Sequence, residues 1–208
     1  MIDRPGTGER VYLSIKTYLL SGSVLRPSER IDVQDLSRRF GASATPVRAA
    51  LHRMVGERLL LSHQGEGFSM PRSTEPDLSD LYQWNLALVV NAARTGAAEP
   101  AITVEPPEPD QPIRALEDLF ARLAARSGNI EVEWAVAGAN DRLHRARCVE
   151  LEIIPEFRDE TLELRGLASD GPSASLRQAL VGYHRRRLRL VSTLVRRLHG
   201  LGDRSERG

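Results

Sequence analysis

Residues 35–60 read DLSRRFGASATPVRAALHRMVGERLL, and their spacing fixes the character of the first third of the chain. Leu36 and Phe40, with Val33 before them, line one side of a short helix that Gly41 stops. Asp32 stands where an N-cap belongs, with Asp35 three residues on as an incomplete capping box. A second helix opens at Ser43, a favourable N-cap, with Pro46 in the first turn where its missing N–H costs nothing. Val47, Ala50, Leu51 and Met54 recur at helical spacing and turn inward. The opposite face then carries Ala44, Thr45, Arg48 and His52.

Working outward, Val11, Ile15, Tyr18 and Leu19 form the apolar face of an earlier helix that ends near Ser21-Gly22-Ser23. After residue 58, Leu59-Leu60-Leu61 and Phe68-Ser69-Met70 are strand-like runs flanking the glycine-bearing turn His63-Gln64-Gly65-Glu66-Gly67. Helix, helix, turn, helix, hairpin is the order of a winged helix-turn-helix. Arg72 to Pro76 reads as a linker. No convincing strand follows it. Apolar stripes predict five further helices: Leu78 to Ala92, Ile113 to Leu123, Val132 to Leu143, Pro155 to Leu164, and Leu176 to Leu198. Short breaks at Gly96 with the Pro-rich stretch 100–112, at Gly128 and at Gly171-Pro172 separate them. The expectation is a mainly α chain: a winged helix-turn-helix with a small β-hairpin wing over 1–72, and an all-α bundle over 73–208.

Composition agrees with two different parts. Residues 1–72 carry 11 Lys/Arg against 7 Asp/Glu, and the remainder 18 against 21, although the whole chain is only +1. A basic first third beside an acidic remainder suits a nucleic-acid module joined to something else. The basic residues are nearly all Arg, with Lys16 the single Lys. The lone Cys148 excludes an intramolecular disulfide framework and fits a reducing compartment. No apolar run reaches the ~18 residues of a membrane span. The N-terminal decapeptide lacks the apolar core of a secretory signal, so a cytoplasmic protein is expected.

The 35–60 stretch resembles the GntR family of bacterial regulators, whose usual pattern is G-V-S-R-T-P-V-R-E-A-L followed by an apolar helix and a Gly-Leu into the wing. Gly41, Ser43, Thr45, Pro46, Val47, Arg48, Ala50 and Leu51 match in place, and Gly67 matches the wing. The resemblance implies a transcriptional regulator that binds double-stranded DNA as a homodimer on a palindromic operator. It implies that Ser43, Thr45 and the helix-start N–H groups hold phosphate, that Arg48 reads a guanine edge, and that Arg38 and Arg39 meet backbone. The wing residues His63 and Gly65 would reach the minor groove. For Arg38, Arg39 and Arg48, a solvated helix face is the alternative reading. Ala44 and Ala49 depart from the family's Arg and Glu, and Gln34 stands where some members have a phosphate-binding Arg.

Beyond residue 72, Asn140-Asp141-Arg142-Leu143-His144 and the later Tyr183-His184 resemble the FadR-like branch, whose helical C-terminal domain is called FCD. That domain serves dimerisation and effector sensing. Many such domains hold a divalent metal with one Asp and three His beside a small organic acid. Here Asn140 replaces the Asp, and Asp141 points about 100° away around the helix. His184 and His199 lie about 22 Å apart on one continuous helix, too far to share an ion. Asn140, His144 and His184 are the residues for a metal or effector, or polar residues flanking a core stripe. The Arg-rich stretch Arg185, Arg186, Arg187, Arg189, Arg196 and Arg197 reads as a solvated face, or one that attracts an acidic partner or DNA. Two other classes stay open. One is a hydrolase using His144, His184 and Glu150 or Asp141, against which the chain offers no HExxH, nucleophile elbow, P-loop or dinucleotide loop. The other is a ligand-blind DNA-binding dimer.

Overall fold

In a computed structural model, the described residues are 6–21, 27–63, 67–95, 111–169, 171 and 173–200. They fall into two compact units, Met1–Ser73 and Thr74–Gly208. The first contains α1 (Thr7–Leu20), β1 (Arg30–Ile31), α2 (Val33–Phe40), α3 (Ala44–Gly56), β2 (Leu61–His63) and β3 (Gly67–Ser69). The second contains α4 (Glu75–Thr95), α5 (Pro112–Arg126), α6 (Ile130–Ile153), α7 (Phe157–Ser169) and α8 (Ala174–Leu198).

The ends of α2 follow from local chemistry. Asp32 caps it, accepting from the N–H of Gln34 at 2.7 Å and of Asp35 at 3.2 Å. Such a cap stabilises a helix by about 1 kcal/mol. Asp35 does not complete a capping box; its carboxylate turns along the helix to Arg38 at 3.4 Å. Gly41 ends the helix at φ 59°, and the Ala42 N–H reaches back to the Ser37 carbonyl at 3.0 Å. This is the left-handed C-terminal turn that glycine adopts without strain. The same closure ends α3, where the Leu59 N–H bonds the Met54 carbonyl at 2.9 Å and the Arg58 N–H that of Val55 at 3.0 Å. There the left-handed position is Arg58, at φ 60°.

The sheet is three-stranded and antiparallel, in the order β1-β3-β2. β2 and β3 form the expected wing hairpin, with Ser62 opposite Phe68 and His63 opposite Gly67. β1 was not expected: Ile31 pairs with Phe68, and the Met70 N–H extends the ladder to the Glu29 carbonyl at 3.1 Å. Leu59 and Leu60 lie before β2 and are buried in the core, so the strand begins only at Leu61. That core also gathers Val11, Ile15, Leu19, Leu36, Val47, Leu51, Met54 and Phe68.

The helical unit opens on a reciprocal cap. The Asp77 carboxylate accepts from the Thr74 N–H at 2.9 Å and hydroxyl at 2.6 Å, while the Asp77 N–H returns a bond to that hydroxyl at 3.3 Å. These bonds hold the Asp77 carboxyl below its ordinary range. The five helices match the five apolar stripes, with α6 running ten residues past Leu143 to Ile153. Asn129 and Ser173 cap α6 and α8 through their side-chain oxygens. Leu116, Phe120, Leu143, Phe157, Leu176, Leu180 and Leu194 are fully or almost fully buried at the centre. No helix among the described residues is long and apolar enough to cross a membrane.

Arg58 pays a steric penalty that glycine would not, offset in part by glycine's greater freedom when unfolded. Arg58→Gly is therefore expected to stabilise the N-terminal unit by about 0.5–1 kcal/mol. Hydrogen exchange of the α3 amides in the full chain measures this; faster exchange in the variant contradicts it.

Candidate nucleic-acid interface and a buried polar cluster

α3 is held from behind by a set of polar side chains. The Tyr12 hydroxyl bonds both carboxylate oxygens of Glu57 at 2.7 Å, and Lys16 joins that hydroxyl at 2.9 Å. Arg53 packs its guanidinium 3.6 Å from the Tyr12 ring centre and pairs with Glu9 at 2.7 Å and Glu57 at 3.2 Å. The side chains of Arg53 and Lys16 are thus spent on tying α1 to α3. The sequence reading missed this brace. Glu9, Tyr12 and Lys16 lie about forty residues before Arg53 and Glu57, and only the α1–α3 contact brings the two groups together.

The other face of α3 is different. Ser43, Thr45, Arg48 and Ala49 are exposed, opposite the buried Val47, Ala50, Leu51 and Met54. Ser43 occupies the N-cap, yet its hydroxyl makes no capping bond. Arg48 has no hydrogen-bond or ion-pair partner among the described residues. A helix N-terminus with unbonded N–H groups, two free hydroxyls and a cation one turn on is a ready anion-binding surface. Ahead of it, Arg38 is exposed and loosely paired with Asp35. Arg39 lies 4.4 Å over the Tyr18 ring, which itself meets Phe40 edge-on at 5.7 Å. Arg39 is therefore oriented by α1 and not simply solvated. In the wing, the exposed His63 ring bonds the Ser69 hydroxyl at 2.9 Å across the β2–β3 ladder. His52, read as a surface residue, meets Phe68 edge-on at 4.9 Å and helps to seat the wing on α3. Gly65 and Gln64 lie outside the described residues.

The helical unit carries its polar chemistry inside. Glu150 on α6, fully buried, accepts from the hydroxyls of Tyr82 on α4 and Tyr183 on α8, the latter at 3.2 Å. It also accepts from Arg187 Nε at 2.8 Å, an ion pair with both side chains at 0% exposure. Arg187 reaches Glu160 on α7, which Arg186 also meets from the surface side. Arg187 was expected on a solvated face. It turns inward because it follows Leu180, Tyr183 and His184 by three to seven residues and so falls on the buried stripe of α8. Burial raises the Tyr82 and Tyr183 hydroxyls well above the ordinary phenol range, and the neighbouring Glu150 charge adds to it.

Asn140, His144 and His184 sort into two sets. Asn140 donates to the Glu117 carbonyl at 3.0 Å and accepts from Arg147 Nη1 at 3.0 Å. His144 Nδ1 meets the Glu117 carboxylate at 3.0 Å, and Arg147 Nη1 meets it at the same distance. Hydrogen bonds with Cys148 first, and with Glu117 next, raise the His144 imidazolium to about 10. Glu117 is lowered in turn: bonds from His144 and the charge of Arg147 outweigh its burial. His184 lies elsewhere in the core, stacked on Phe120 at 5.9 Å, with Nδ1 at the Leu180 carbonyl (2.7 Å) and Nε2 at the Asn85 amide (2.9 Å). Burial lowers it to about 3, so it is neutral. Among the described residues no group of three or more His, Cys, Asp or Glu is placed to hold a metal ion. The donor set therefore does not fit the divalent metal that the family resemblance implies. Arg147 and Glu117 were missed, although Arg147 falls on the same stripe as Leu143 and Glu150, where a buried charge had to find partners.

Residues 7–70 match the family model described as bacterial regulatory proteins, gntR family. The chain is 30% identical over 77 residues to the HTH-type transcriptional regulator YdhC of Bacillus subtilis (strain 168), covering 37% of this chain and 34% of that one. It is 28% identical over 136 residues to the HTH-type transcriptional regulator McbR of Escherichia coli (strain K12), covering 61% and 58%. The chain thus spans about a third to three fifths of the length of these relatives. A solved GntR transcriptional regulator from Rhodococcus sp. RHA1 shares the fold, with a TM-score of 0.70 at 14% identity over 89% of this chain and 97% of that one.

The raised His144 has a consequence for stability. A group whose folded value lies above its unfolded value of 6.5 contributes fully below pH 6.5, and the contribution is lost as pH climbs through about 10. The melting temperature of the helical unit is expected to fall between pH 7 and 10, and to fall less in His144→Gln. Parallel curves for the two proteins would show that the contacts of His144 with Cys148 and Glu117 contribute nothing.

Proposed function

We propose that this chain, whose residues 7–70 match the gntR family, is a sequence-specific DNA-binding transcriptional regulator and not an enzyme. On this reading it acts in the cytoplasm, as a homodimer on a palindromic operator. Residues 1–72 bind double-stranded DNA, and residues 73–208, an FCD-like bundle of the FadR-like branch, supply dimerisation and control by a small organic acid.

The observation that carries the reading is the exposed N-terminal end of α3. Ser43, Thr45 and Arg48 stand there without side-chain partners among the described residues, while the cations on the rear of the helix are consumed by Tyr12, Glu9 and Glu57. A recognition helix enters the major groove by that end. Phosphate is held by hydroxyls and helix-start N–H groups, and a guanine edge by the guanidinium of Arg48. Arg38, Arg39, His63 and Gly65 extend the footprint to backbone and minor groove. Two half-sites are needed because one small module buries little surface on DNA. Ala44, Ala49 and Gln34 remove charged groups that the family pattern carries, so fewer counterions are released and the salt dependence is shallower.

The hydrolase reading loses its groups to structure. Glu150 is committed to Tyr82, Tyr183 and Arg187, and the neutral His184 is buried beside the Leu180 carbonyl and the Asn85 amide.

Selection of random duplexes by the full chain tests the proposal. Wild type is expected to enrich a palindrome, and Arg48→Ala to relax one base pair per half-site, a discrimination of roughly 1–3 kcal/mol. No enrichment at moderate salt by a folded protein would overturn it.

A further inference from the structure

α4 buries one side and leaves the other open. Leu81, Tyr82, Leu88, Val89 and Ala92 are buried, and on that side the helix packs against α5, α6 and α8. Asp80, Trp84, Ala87 and Arg94 are exposed, with Val90 half-buried beside them. These five recur at i, i+4, i+7, i+10 and i+14, a single stripe along about 21 Å of helix. Trp84 is 51% exposed, an apolar surface that water alone does not favour. Asp80 and Arg94 have no hydrogen-bond or ion-pair partner among the described residues. The stripe is balanced about Ala87. Asp80 and Arg94, opposite in charge, lie seven residues to either side of it, and Trp84 and Val90 lie three residues to either side.

We propose that this stripe is the face that receives a second copy of the chain, the two α4 helices crossing antiparallel at Ala87. About a two-fold axis, each residue meets the one equally far on the other side of the crossing, and every contact occurs twice. Asp80 then faces Arg94 of the second copy, and Trp84 packs on the second copy's Val90. Parallel pairing sets Asp80 on Asp80 and Arg94 on Arg94, so charge selects the antiparallel arrangement and fixes its register. Ala87 at the crossing lets the two backbones approach closely. An aromatic anchor at the centre with complementary charges at both ends is the make-up of an interface core and its rim. The homodimer in the reading given above is the premise here; DNA binding is not.

Sedimentation equilibrium of the full chain at low salt, without DNA, tests the face. Wild type is expected to dimerise reversibly. Trp84→Ala trims an exposed side chain and keeps the fold, which circular dichroism checks, and its dissociation constant is expected to rise about tenfold or more. Asp80→Lys and Arg94→Glu each set like charges together, and each is expected to weaken self-association about threefold to tenfold. Mixed in equal amounts, these two variants are expected to associate with each other at least as tightly as wild type, because a wholly basic stripe then meets a wholly acidic one. Any of three results overturns the face. The first is a wild type that stays monomeric at every concentration, which leaves α4 to a different partner. The second is a folded Trp84→Ala that dimerises undiminished. The third is a mixture of the two charge variants that associates no better than either alone. No DNA is present, so failure of operator recognition and failure of this face are separate results.

Discussion

The helical unit depends on one buried contact, the pairing of Glu150 with Arg187. Two ions removed from water lose several kcal/mol of hydration each, and recover it only when every donor and lone pair is met at short range. The chain meets most of this by drawing on four helices, with only Nη2 of Arg187 left without a hydrogen-bond partner among the described residues. Glu150 comes from α6, Arg187 and Tyr183 from α8, Tyr82 from α4 and Glu160 from α7. A shift of any one helix leaves a buried charge uncompensated. Apolar side chains such as Leu143 and Leu180 tolerate small slides along one another; this cluster does not. It fixes register where the hydrophobic stripes alone fix only proximity.

The N-terminal unit solves the opposite problem. The DNA binding proposed for it needs cations at the surface, and a surface pair contributes little to stability. Tyr12 divides the labour. It collects Arg53, Lys16 and Glu57 on the rear of α3, where ring, hydroxyl and carboxylate give those cations a structural role. The front is left with Ser43, Thr45 and Arg48, whose hydrogen-bonding capacity is unspent. Arg39 is intermediate: stacking on Tyr18 orients the guanidinium without consuming its N–H groups.

The same economy explains the centre of the helical unit. Asn140 and His144 keep the i, i+4 spacing of a ligand pair, but a carboxylate and a guanidinium from Glu117 and Arg147 now occupy them. An ion-pair lattice stands where the family resemblance implies a metal. A guanidinium supplies fixed charge and directional donors without the exchange of ligands that a metal allows.

The sequence by itself determined the helices, their order and most of their ends. Apolar stripes at 3.6-residue spacing, Asp32 at the N-cap of α2, and Gly41 in its left-handed turn all act within a few residues of one another. The α3 surface was legible for the same reason, since Val47, Ala50, Leu51 and Met54 leave Thr45 and Arg48 only one side to face. β1 was not legible: two residues, Arg30 and Ile31, are too short to show alternation, and their pairing with β3 joins segments nearly forty residues apart. Arg187 read as solvated because charge normally is, and Arg147 drew no reading for the same reason. Only the tertiary structure decided that they go inside, because the carboxylates that make their burial tolerable, Glu117, Glu150 and Glu160, arrive from other helices.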